Sequence, residues 1–174
     1  MSQVNLQFNW DEWYDSYGSQ FFLYARQLSR SLADAEDIVQ EAFVRAWKRA
    51  QKGKRIEVTL FYRIIKQTAI DHYRSSTQRE KREERYTVLH FDSDLRSQFQ
   101  EVDQQDQASE LKAKISNLKT EQREVLVLKI WGDLTFDQIA KITDCSANTV
   151  ASRYRYALEN LKQEMETISN ELRS

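Results

Sequence analysis

The sequence predicts an all-α protein: two small helical domains joined by a flexible acidic linker, the second domain being a helix-turn-helix. Three observations carry this. The 174 residues include no proline and only Gly18, Gly53 and Gly132, and helix interiors exclude those two residue types most strongly. Apolar residues recur at helical spacing along most of the chain. Between two such stretches lies one rich in Gln, Asp and Ser, with too little apolar surface to fold by itself. The division falls at residues 1–76, a linker over 77–109, and 110–174.

The first predicted helix spans residues 10–28 and places Trp13, Tyr14, Tyr17, Phe21, Tyr24, Ala25 and Leu28 on one wide face. Ser29-Arg30-Ser31 breaks it. Residues 34–50 form the clearest helix, burying Ala35, Ile38, Val39, Ala42, Phe43, Ala46 and Trp47. Asp34, Asp37, Gln40, Glu41, Val44 and Lys48 lie on or near its other face. Acids gather at its start and bases at its end, as the helix dipole favours. Residues 51–59 form a basic loop with Lys52, Lys54 and Arg55 around Gly53. A third helix over residues 60–74 buries Phe61, Ile64, Ile65, Thr68, Ala69 and His72, and the charge run 79–85 reads as its frayed continuation.

The linker's apolar residues, Leu89, Phe91, Leu95 and Phe99, are candidates for docking on a partner. Leu111, Ile115 and Leu118 open the second domain, and Val125, Leu126, Leu128 and Ile130 feed its core. After a break at Trp131-Gly132-Asp133, Thr135 can cap a short helix with Phe136, Ile139, Ala140 and Ile142 inward. Thr143-Asp144-Cys145 makes a turn, Asp144 taking the left-handed conformation where Gly is common. Cys145 reads as a small core residue. Ser146 can cap a second helix that buries Val150, Tyr154, Ala157, Leu158 and Leu161. A short helix, tight turn and second helix opened by small polar residues fits the DNA major groove. An ordinary helical hairpin is the plainer alternative.

The net charge of -1 conceals a mosaic. Residues 1–44 carry net -5, 45–85 net +8, 86–110 net -5 and 111–174 net +1. A block of +8 within 41 residues is an electrostatic footprint for a polyanion. No apolar run approaches the roughly 20 residues that cross a bilayer, no signal-peptide layout opens the chain, and the lone cysteine fits a reducing cytoplasm. Enzyme signals are absent: His72 and His90 are isolated, no Cys/His cluster has metal-ligand spacing, and no phosphate-binding glycine loop occurs. No cofactor or metal is expected.

Two segments resemble the extracytoplasmic-function (ECF) class of bacterial sigma factors. Asp34-Ala35-Glu36-Asp37-Ile38-Val39-Gln40-Glu41-Ala42-Phe43, followed by Arg45-Ala46-Trp47, is similar to the family's polymerase-binding helix. Gln122-Arg123-Glu124-Val125-Leu126 and Thr149-Val150-Ala151-Ser152-Arg153 are similar to its promoter-reading domain. Between them, Arg63-Ile64-Ile65-Lys66-Gln67 through Asp71-His72-Tyr73-Arg74 resembles the helix that reads the minus-10 element.

The resemblance implies a sigma factor that binds core RNA polymerase, reads minus-35 and minus-10 elements, and helps melt DNA. Asp37, Gln40 and Glu41 would dock on the beta-prime clamp, and the second domain on the beta flap. Lys52, Lys54 and Arg55 lie in the loop that captures a flipped base in the family, and Arg63, Lys66, Gln67, Ile70 and Arg74 would face the minus-10 strand. Asn148, Ala151, Ser152, Arg155 and Tyr156 would face the minus-35 element. Arg153 serves either a phosphate or a salt bridge to Asp137 or Glu124. Leu60 and Gln67 stand where the family usually has Trp and Asn, and Ala151 and Tyr156 where basic residues are frequent. The resemblance also implies an anti-sigma partner, and a cytoplasmic chain that is monomeric when free. Those departures suit a different possibility as well, a sigma-like decoy that sequesters an anti-sigma factor without binding promoter DNA. A stand-alone helix-turn-helix repressor would leave the acidic helix and the linker unexplained.

Overall fold

The computed structural model describes residues 9–83, 114–115 and 117–171. Among them it forms no strand and six helices: α1 (Trp10–Gln27), α2 (Leu32–Gln51), α3 (Val58–Glu83), α4 (Thr120–Ile130), α5 (Phe136–Thr143) and α6 (Ala147–Glu171). The all-α expectation holds. Leu89, Phe91, Leu95, Phe99 and Leu111 lie outside the described residues.

Local chemistry sets the helix starts. The Asn9 side chain accepts from the Glu12 amide at 3.2 Å, with Asp11 and Glu12 in the first turn and Arg26 in the last, the charge order the dipole favours. The Ser31 hydroxyl accepts from the Asp34 amide at 3.0 Å, so α2 begins two residues before the predicted start at residue 34, at an exposed Leu32. The caps satisfy amides that have no partner inside the helix.

The first domain has an aromatic core. Phe21 of α1 lies at its centre, with ring centroids 4.3 Å from Phe61, 5.1 Å from Tyr62 and 5.3 Å from Trp13. Phe43 of α2 joins at 4.7 Å from Phe61. Tilted and edge-on geometries of this kind are the favoured ones between rings. Ile56 anchors the otherwise exposed basic loop by inserting into this core.

The helix-turn-helix forms as its residues predict. Thr135 makes a capping box with Gln138. Asp144 takes φ 56° and ψ 46° at the end of α5, and the Ser146 hydroxyl accepts from the Thr149 amide at 3.1 Å. Cys145 is half-buried against the core. A small cluster of Ile115, Leu118, Leu126, Ala157 and Leu161 supports α6 from behind.

The two domains pack together. α4 meets α1, and α5 meets α3. One apolar cluster runs from Phe21, Tyr24, Phe61 and Ile65 through Val125, Leu128, Ile139 and Val150. Gly132 lies at the closest approach. A Cβ there would stand 2.6 Å from the Leu128 carbonyl oxygen and 3.2 Å from the Tyr62 hydroxyl.

Four residues expected inside are outside: Tyr14, Trp47, Ile130 and Leu158, at 58%, 49%, 50% and 42% exposure. A buried helix stripe is little more than 100° wide. Tyr14, Trp47 and Leu158 fall at or beyond its edge, and Ile130 closes α4 where the chain turns away. Conversely, Tyr62 and Val127 are buried although their helical spacing did not mark them. Tyr62 is covered by the second domain at Gly132. His72 is half-buried on α3 rather than enclosed.

Candidate nucleic-acid interface

Asp37, Gln40 and Glu41 form an exposed stripe on α2. Beside it stand Val44 and Trp47, both about half exposed. An open tryptophan next to a polar stripe is the composition of a protein contact surface, where aromatic anchors carry much of the binding energy. Spacing alone placed Trp47 in the core. The i, i+3 and i+7 relation of Trp47 to Val44 and Gln40 was the signal that could have placed it on the stripe.

A clasp ties this stripe to α3. Arg45 donates to Glu41 at 2.6 and 2.9 Å and to Asp71 at 2.8 Å. Asp71 also accepts from the Gln67 side-chain nitrogen at 3.0 Å. A carboxylate only accepts, so the Gln67 amide is fixed with its oxygen left for another donor. The hydrogen bond from Arg45, strengthened by that from Gln67, holds Asp71 below the usual carboxylate range despite partial burial.

Lys52, Gly53, Lys54 and Arg55 are exposed between α2 and α3. Gly53 takes φ 73°, a left-handed conformation that costs glycine nothing and other residues more. Arg55 lies 3.8 Å from Glu57 with both side chains largely in solvent, too open a pair to hold it. Arg63, Gln67, Ile70 and Arg74 face outward from α3. Their spacing puts these four on one face of α3.

Lys66 does not share that freedom. Its ammonium donates to both Glu124 oxygens, at 2.9 and 3.1 Å. The Tyr24 hydroxyl donates to the same carboxylate at 2.7 Å. Burial, followed by the Glu124 charge, pushes the Tyr24 hydroxyl well above its ordinary pKa, so it remains a donor. Glu124 is therefore engaged by the first domain and not by Arg153, whose guanidinium reaches the Cys145 sulfur at 3.8 Å.

On α6, Asn148, Arg155 and Tyr156 are exposed, and Ala151, Ser152 and Arg153 are partly so. Arg155 lies over the Tyr156 ring at 5.3 Å and 4.0 Å from Glu159. Like the Arg55 pair, this ion pair is too open to hold the guanidinium, which stays exposed to solvent. Among the described residues no Cys, His, Asp and Glu group could hold a metal ion, and no helix is long and apolar enough to cross a membrane.

Two family profiles match this chain: Sigma-70 region 2 over residues 13–79 and Sigma-70 region 4 over residues 108–161. The first covers most of α1, all of α2, the loop and most of α3, and the second covers α4, α5 and the first part of α6. The chain is 27% identical over 155 residues to an ECF RNA polymerase sigma-E factor of Haemophilus influenzae, covering 84% of this chain and 81% of that protein. It is 25% identical over 144 residues to RNA polymerase sigma factor SigV of Bacillus subtilis, covering 82% of each. The fold is similar to that of the sigma factor RpoE of Bartonella quintana in complex with the anti-sigma factor NepR, with a TM-score of 0.57 at 18% identity over 90% of this chain and 98% of that one. It is also similar to CnrH in complex with the cytosolic domain of CnrY, with a TM-score of 0.61 at 20% identity over 94% and 91%. Both halves of the chain, in this order and on this helical frame, make it a member of the ECF sigma factor family.

Proposed function

We propose that this sigma factor docks core RNA polymerase through Asp37, Gln40 and Glu41, reads the minus-35 element with α6, and captures and melts the minus-10 element with the basic loop and α3. The observation that carries this is the exposed α2 stripe with Trp47 and Val44 beside it. It gives the polymerase an anchor separate from both DNA-facing surfaces. The beta-prime clamp is the partner for α2, and the beta flap the partner for the second domain. Lys52, Lys54, Arg55, Arg63 and Arg74 supply the phosphate attraction. Gln67 offers its free carbonyl oxygen, an acceptor for a base amino group such as adenine N6. On α6, Asn148, Ser152 and Arg155 supply hydrogen bonds to bases or phosphates, with Ala151 and Tyr156 as apolar neighbours and Arg153 behind them. The chain acts as a regulatory initiation factor and not as a catalyst. It works in the cytoplasm, as a monomer until it meets a partner. An anti-sigma factor is among those partners, as it is for the Bartonella relative.

Run-off transcription from the promoter upstream of its own gene tests the proposal. Core polymerase should give the transcript only with this protein. The Asp37→Arg/Glu41→Arg variant should lose both transcript and core binding. A wild-type chain that does not bind core would overturn the proposal and leave a decoy for an anti-sigma factor.

A further inference from the structure

We infer that Asp71 is a positioning residue for base reading: gripped by Arg45, it turns the Gln67 carboxamide so that the carbonyl oxygen is left for the strand, and so selects a base that carries an exocyclic amino group. The inference rests on the proposed role of Gln67 at the minus-10 surface.

The geometry is a relay from α2 to α3. Arg45 gives Nε and Nη2 to Glu41 Oε1, at 2.9 and 2.6 Å. Its Nη1 goes to Asp71 Oδ2 at 2.8 Å. A guanidinium is planar and its donors point in fixed directions, so holding it at Glu41 fixes where it grips Asp71. The other Asp71 oxygen, Oδ1, accepts from Gln67 Nε2 at 3.0 Å. Each oxygen of this carboxylate thus has its own donor.

Charge decides which way the amide turns. A glutamine side chain ends in a donor and an acceptor of nearly the same shape. An ionised carboxylate only accepts, so only the NH2 end can face Asp71. The bonds from Arg45 and Gln67 hold Asp71 below the usual carboxylate range and keep it ionised. A Gln–Asp pair one helical turn apart is weak by itself. Here the carboxylate is already fixed by a charge-assisted bond from another helix, and the amide has only to meet it. Gln67 is exposed, on the face of α3 that also carries Arg63, Ile70 and Arg74. Its carbonyl oxygen suits the amino group of adenine or cytosine, and opposes the carbonyl that guanine or thymine presents at the same place.

The test uses holoenzyme made from core polymerase and this protein. The probes are fluorescent single-stranded oligonucleotides with the non-template minus-10 sequence of the promoter upstream of its own gene. Each adenine is replaced in turn by hypoxanthine, and each cytosine by uracil. Both changes put a carbonyl where an amino group was. With the wild-type chain, one position should lose about tenfold in affinity. Gln67→Ala should bring that ratio to within about twofold. Asp71→Asn should do the same, because an amide at 71 can donate as well as accept and lets Gln67 turn its NH2 to the new carbonyl. Asp71→Glu remains acceptor-only and should keep the wild-type base preference. Arg45→Lys keeps the charge without the fork and should reduce the ratio part of the way, which serves if Asp71→Asn does not fold.

Uniform weakening of every oligonucleotide by Asp71→Asn, with the ratio kept, overturns the inference and leaves Asp71 a purely structural role. An Asp71→Glu chain that loses the preference as fully as Asp71→Asn also overturns it. A wild-type profile that is flat, or one that Gln67→Ala leaves intact, removes Gln67 as a reader and the inference with it. Failure of the sigma assignment itself appears earlier, when the wild-type chain does not bind core.

Discussion

The two helices proposed to face DNA are held in opposite ways. The start of α6 is set by chemistry nearby in the chain, the Thr135 capping box, the left-handed Asp144 and the Ser146 cap, while Val150, Ala157 and Leu161 seat its length on the core. Its Asn148 and Arg155 stand open to solvent. α3 is positioned by distant parts of the chain. The ring cluster of Phe21 and Phe61 supports it from below, Arg45 of α2 clasps Asp71, and Glu124 of α4 takes Lys66. Local devices thus build a recognition helix that is ready when folded. Tertiary devices build one whose availability depends on what the rest of the molecule is doing.

Removing the platform under α3 gives the largest expected effect. Phe61→Ala deletes a fully buried ring from the aromatic core and should cost about 3–5 kcal/mol of folding stability, measured by urea denaturation. A loss under about 1 kcal/mol would mean that α3 does not depend on that core.

Gly132→Ala attacks the contact between the halves. Its methyl would meet the Leu128 carbonyl and the Tyr62 hydroxyl, and overpacking of this kind costs about 1–3 kcal/mol. The melting temperature should fall and the hydrodynamic radius should rise. A well-folded variant of unchanged radius would show that the interface yields elsewhere.

The open helix should respond in DNA preference rather than in folding. Arg155→Ala should lose about 1–3 kcal/mol of discrimination at one minus-35 position, read by promoter competition with holoenzyme, with unchanged thermal stability. Uniform weakening across all promoters would reassign Arg155 to a phosphate.

Thr135→Ala removes the cap that sets α5 and should cost about 1 kcal/mol, measured by thermal melting. An effect near zero would put the angle of α5 under the control of its packing on α3.

The smallest effect concerns acid. Asp71 is held below its ordinary value by Arg45 and Gln67. Its contribution is therefore present above the unfolded carboxylate range, near about 3.9, and is lost as pH falls through the lower folded value. Asp71→Asn should flatten the stability profile in that acid window alone. Because the clasp is part-exposed, the change should shrink in high salt.

Much of this molecule is legible along the chain. The absence of proline and scarcity of glycine fixed the fold class, and Ser, Thr and Asp at the right offsets fixed the turn and caps of the second domain. The stripe of Asp37, Gln40 and Glu41 and the basic loop around Gly53 emerged from spacing and charge, and are as exposed as they read. These features depend on neighbours within one or two helical turns, which is the range over which backbone geometry repeats. Trp47, Tyr62 and Lys66 went the other way. Periodicity states which residues share a face, but not which part of that face another helix covers. Tyr62 is closed over by Gly132 and Trp47 is left open. Lys66 meets a carboxylate 58 residues onward. Closing a long loop costs only slightly more than closing a shorter one, so sequence distance does little to forbid such a partner and nothing to name it. That pairing was decided by the packing of two finished domains.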